Sequence, residues 1–214
     1  MLTFWVVLAF PFILGGGYAI LFALLRRNAD ALAGPLGFFY YLILLTIPTG
    51  FVLYFHLADV ASEIAMRATT VLWLVPGALV GLALWQLQQR GLPGRTPDAG
   101  ERTWCGPPGR LGFILLLIPV AYVVLAEEIV WRAYLIPEVG VLLSAIAFAL
   151  HHFFFGLRHV LFSFIAGVVW GGCLLLTGDI WMSAVSHFVY NALAWREMRI
   201  QQAARTAEHS SRRQ

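Results

Sequence analysis

Two adjacent carboxylates and an arginine, in Glu127-Glu128-Ile129-Val130-Trp131-Arg132, stand within a stretch otherwise apolar enough to lie in a lipid bilayer. An ionisable side chain at the centre of a membrane helix costs about 2.5–3.5 kcal/mol even on lenient insertion scales, so charge this dense needs pairing, a polar cavity, or both. On an α-helix Glu128 and Arg132 are four residues apart and share a face, whereas Glu127 is rotated about 100° from its neighbour. One carboxylate can then be neutralised by the arginine while the other stays available as a general base. Two further apolar runs carry polar groups: His151 and His152 follow Phe148, and His187 and Asn191 stand four apart. A carboxylate or imidazole base activates water, while amide and imidazole N–H groups can hold a developing oxyanion. Together these residue types could hydrolyse an acyl bond.

Composition says what must position them. The chain of 214 residues has 60% hydrophobic and 12% charged residues and a mean hydropathy of +0.80, against the roughly 25% charge of soluble domains. This implies an integral membrane protein and leaves no room for a separate soluble domain. The net charge of +3 comes from arginine alone, since the sequence has no lysine. Most of those arginines flank apolar runs, a pattern that reports membrane topology and excludes nucleic acid as a partner. Cys105 and Cys173 have no second thiol near them in sequence, which argues against a disulfide or a cysteine metal site.

Apolar runs fall at Leu2–Leu25, Leu36–Leu57, Thr69–Leu87, Leu111–Leu135, Val139–Phe155, Val160–Thr177 and Ile180–Trp195. Each approaches the roughly 20 residues that cross the hydrocarbon, so the expected fold is all-α, a polytopic bundle of about seven transmembrane helices. Residues 1–110 supply N-terminal helices and a Gly- and Pro-rich loop, 111–195 a catalytic bundle, and 196–214 a basic tail expected to be disordered. Arg26, Arg27, Arg90, Arg95, Arg102, Arg110, Arg158 and the tail arginines belong on the cytoplasmic side, which places the N-terminus outside. Glu138 and Asp179 read as solvated loop residues. At about 1.5 Å per residue, Glu127, His152 and His187 lie roughly 15, 20 and 10 Å deep, so three helices bring polar groups to similar depths.

Glu127-Glu128-x-x-x-Arg132, Phe148-x-x-x-His152 and His187-x-x-x-Asn191, in this order and each on its own helix, resemble the motifs of the CPBP family of intramembrane proteases. That family includes the type II CAAX prenyl endopeptidases and bacterial relatives linked to bacteriocin self-immunity. The resemblance spans about Leu111 to Trp195 and implies a glutamic-type intramembrane peptidase. It implies that Glu127, with His152, activates water; that His187 and Asn191 hold the oxyanion; and that Glu128 and Arg132 order the site. The Phe148 spacing selects His152 over His151, which reads as a polar filler or a hydrogen-bond partner.

The expected partners are a membrane-associated peptide or protein substrate and the bilayer, and the expected location is a prokaryotic cytoplasmic membrane. No cofactor is implied. Zinc is the less favoured alternative, because neither H-E-x-x-H nor a cysteine cluster is present. Competing functions are a proton-coupled transporter, since intramembrane Glu, His and Arg also build proton relays, and a catalytically silent membrane scaffold.

Overall fold

A backbone in lipid must satisfy its own N–H and C=O groups, and apolar runs of this length do so as helices. The computed structural model describes residues 3–7, 9–10, 29–90, 109–153 and 156–211, with side chains placed at all of these except 29–40, 202 and 205–211. The regular elements are α1 (Ala29–Ile64), α2 (Thr70–Gln89), α3 (Gly109–Glu127), a π-helical segment (Glu128–Tyr134), α4 (Leu135–His151), α5 (Leu157–Thr177) and α6 (Trp181–Ser211). Residues 3–7 and 9–10 are also helical. The protein is an all-α integral membrane protein.

Four stretches are long and apolar enough to cross a bilayer: Tyr41–Ile64, Thr70–Gln89, Gly109–His151 and Leu157–Thr177. The expected count was about seven. Most of the expected first run, and the loop between Gln88 and Arg110 over residues 91–108, lie outside the described residues. α6 carries the expected last run and continues through polar sequence to Ser211, which lowers its average hydropathy.

The 43-residue stretch Gly109–His151 is not one rod. Gly140 has φ 80° and ψ 168°, a backbone conformation that glycine adopts without steric cost. The chain reverses there: Ser144 Oγ donates to the Trp131 carbonyl, and the Trp131 and Phe148 rings meet at 6.4 Å. The expected fourth and fifth runs are therefore the two arms of a hairpin, which brings the end of α4 back beside the end of α3.

α6 is set by a close backbone approach. A Cβ at Gly77 of α2 would stand 2.6 Å from the Met182 carbonyl oxygen, and one at Gly81 would overlap that of Ser186. Small residues one turn apart let membrane helices pack backbone to backbone, and the neighbour of Ser186 is His187. At the same end of the bundle as the Gly140 turn, Thr70 Oγ1 donates to Asp179 Oδ2 at 2.6 Å, and Asp179 Oδ1 accepts the Trp181 N–H at 3.1 Å. Ile180 N and Trp181 Nε1 donate to the carbonyls of Glu63 and Ile64, both at 2.9 Å. Asp179 is thus buried rather than solvated, because it caps the start of α6 and ties the α1–α2 turn to the α5–α6 turn.

Candidate active site

Glu127 is the last residue of α3 and Glu128 the first of the π segment. A turn closed by i→i+5 bonds holds more residues than an α turn, so consecutive side chains diverge by a smaller angle. The two carboxylates face one interior, where His187 meets both. Glu127, Glu128, Arg132, His151 and His187 are each no more than 2% exposed, and all of them find partners, as buried charge requires.

His187 joins the two glutamates. Its Nδ1 lies 2.8 Å from Glu128 Oε1 and its Nε2 3.4 Å from Glu127 Oε2. The other Glu128 oxygen accepts from Ser183 Oγ at 2.6 Å and lies 3.5 Å from Arg132 Nε, so the pairing expected from the spacing of Glu128 and Arg132 is present. The Arg132 guanidinium sits 4.3 Å above the Phe148 ring centroid, a cation–π contact. Trp170 of α5 stacks on the His187 ring with centroids 3.9 Å apart, and its Nε1–H donates to Ser186 Oγ at 2.8 Å. Stacking on one face and a carboxylate at Nδ1 leave His187 little rotational freedom.

On the other side of Glu127, Oε1 lies 3.3 Å from His151 Nε2 and accepts the hydroxyl of Tyr41, which itself lies 2.6 Å from His151 Nε2. The His151 ring stacks on Phe10 at 5.1 Å and meets the edge of Trp131 at 5.7 Å. Its Nδ1 is buried with no hydrogen-bond partner among the described residues.

The arrangement adds His151 to the histidines expected beside Glu127. α4 ends at His151, and His152 occupies the C-cap with φ −93° and ψ 11°, so its ring turns back along the helix and Nδ1 pairs with the Phe148 carbonyl at 2.8 Å. The imidazoles in direct contact with Glu127 are those of His151 and His187. Asn191 is half-buried, one turn beyond His187 on α6. Tyr41, Ser183 and Trp170 were not expected at the site. Ser183 had a legible signal, since it stands four residues before His187 on one helix face; Tyr41 and Trp170 come from other helices and had none. Among the described residues no group of three or more His, Cys, Asp and Glu side chains is arranged to hold a metal ion.

The family model described as type II CAAX prenyl endopeptidase Rce1-like matches residues 109–193. This is the family that the three motifs resemble. The match runs from the first turn of α3 through His187 and Asn191, and it leaves α1 outside. No curated protein and no solved structure matches the chain.

Proposed function

From the Rce1-like character of residues 109–193, we propose that the protein is a glutamate-dependent intramembrane endopeptidase that cleaves a membrane-associated peptide or protein near its terminus. The observation that carries this reading is the Glu127 carboxylate, buried between two imidazoles at 3.3 Å and 3.4 Å. Glu127 takes a proton from water as the water oxygen attacks the scissile carbonyl carbon. When the tetrahedral intermediate breaks at the C–N bond, the same proton passes to the departing amine. His187, fixed by Glu128 at Nδ1 and by Trp170 on its ring face, and the Asn191 carboxamide together hold the developing oxyanion. His151 takes the place beside Glu127 that the family motif suggests for His152.

Arginine placement supports the topology within this reading. Arg90, Arg110, Arg158, Arg196 and Arg199 lie at the end of the bundle away from the Asp179 turn, where Arg67 is the one arginine among the described residues. The arginine-rich end faces the cytoplasm, with the C-terminus. Arginine to the exclusion of lysine fits a prokaryotic cytoplasmic membrane.

The test is cleavage by purified protein in liposomes, first of a farnesylated peptide with a C-terminal CAAX tetrapeptide and then of peptides that accumulate in cells expressing Glu127→Gln. Wild type should cleave, and Glu127→Gln should lose at least about 10²-fold in rate while staying folded. Full activity in that variant, or proton flux without hydrolysis, refutes the proposal.

A further inference from the structure

We infer that Tyr41, on a helix outside the family-matched region, is a positioning residue for Glu127 that fixes which carboxylate oxygen takes the proton; this rests on the peptidase reading. Tyr41 stands on α1, yet its hydroxyl meets both Glu127 Oε1 and, at 2.6 Å, His151 Nε2. A phenol can donate one hydrogen bond while accepting another. An ionised Glu127 only accepts, so the Tyr41 proton points to Oε1, and the phenol oxygen is left to accept from His151. His151 must then carry its proton on Nε2 and keep Nδ1 bare, which agrees with Nδ1 being the ring nitrogen without a hydrogen-bond partner among the described residues. One hydroxyl therefore sets the orientation of Glu127 and the tautomer of His151 together.

The consequence falls on the two oxygens of Glu127. Oε1 is engaged by Tyr41 and lies 3.3 Å from His151 Nε2, whereas Oε2 has the longer contact, with His187 Nε2 at 3.4 Å. Oε2 is accordingly the oxygen that receives the proton of water, next to the imidazole that serves the oxyanion. Without the Tyr41 donor the carboxylate can rotate about its terminal torsion, which is broad and roughly two-fold, and present the wrong geometry part of the time.

Tyr122 supplies the control. Its hydroxyl bonds Thr46 Oγ1 at 2.5 Å and so also ties α1 to α3, but it is away from Glu127. In the farnesylated-peptide assay, Tyr41→Phe should lower kcat about 10- to 100-fold, the scale of one hydrogen bond to a charged group, with KM changed less than about twofold. Tyr122→Phe should stay within about twofold of wild type in both constants, as a bond at an exposed site should. Equal kcat in Tyr41→Phe and wild type overturns the inference, and so does a parallel loss in Tyr122→Phe, which would mark a merely structural tie. If wild type cleaves no peptide, the peptidase reading fails and a second measurement decides the contact. With 3-fluorotyrosine at position 41, the fluorine resonance should shift on Glu127→Gln and on His151→Leu. A resonance indifferent to both substitutions overturns it.

Discussion

His151 Nε2 lies 3.3 Å from Glu127 Oε1, with both side chains buried, while the neighbouring His152 turns its Nδ1 to the Phe148 carbonyl. Adjacent histidines thus have separable jobs. His151→Ala should reduce the rate of peptide cleavage by about 10²–10⁴-fold, the usual contribution of a positioned acid or base. His152→Ala should cost less than about tenfold on the same scale. Steady-state kinetics on both variants, at matched folding by thermal melting, checks the assignment; the reverse order would return the role to His152.

Glu128 pairs with Arg132 at 3.5 Å and with His187 at 2.8 Å, so it serves stability and geometry at once. Removing one member of a buried ion pair strands the other and costs about 3–5 kcal/mol, whereas replacing both by apolar residues is often neutral. Glu128→Met should therefore lower the melting temperature sharply. The double variant Glu128→Met, Arg132→Met should recover most of it. Activity should not return with stability, because His187 Nδ1 has lost its acceptor. A double variant that regains both would confine Glu128 to a clamp.

Legibility in the sequence followed the range of the forces involved. Hydropathy and period marked the helices, since burial in lipid is read locally, and the spacing of Glu128 and Arg132 or of His187 and Asn191 fixed shared helix faces. Two things escaped. The π segment from Glu128 to Tyr134 changes the angular step between residues, and no residue type in the apolar pattern marked it. Likewise the end of α4 at His151 brings that ring against Glu127 and turns His152 Nδ1 to the Phe148 carbonyl, and a helix end shifts easily by a residue against any motif spacing. Tyr41, 86 residues from Glu127, is a contact made by tertiary packing alone.

Gly81 faces the backbone of α6 at Ser186, and the next residue carries the imidazole that spans Glu127 and Glu128. A methyl group there must push α6 outward, because the obstruction is the Ser186 carbonyl oxygen, which cannot rotate away. Gly81→Ala should destabilise the protein by about 1–3 kcal/mol, in the range of overpacked cores, and depress kcat by displacing His187. Gly172, whose Cβ would meet nothing within 4 Å, is the matched control on α5. Thermal melting and kinetics of Gly81→Ala and Gly172→Ala side by side make the comparison, and equal behaviour would contradict the close approach.

Glu127 and the imidazoles of His151 and His187 invite comparison with a zinc site, since catalytic zinc commonly takes three protein ligands from His and carboxylate. Such a site needs ligand atoms converging on a point about 2.0–2.2 Å from each. Here the Tyr41 hydroxyl bonds both Glu127 Oε1 and His151 Nε2, two of the atoms such a site would need free. Donors spent on one another in this way favour proton transfer over coordination. Cleavage should therefore persist after dialysis against a zinc chelator, with rates within about twofold, if the base is the carboxylate, as proposed, and not a metal-bound water. Elemental analysis of the active protein is the companion measurement. One zinc per chain, lost together with activity and with restored activity on adding zinc back, would replace the general-base mechanism with a metal-activated water at the same three residues.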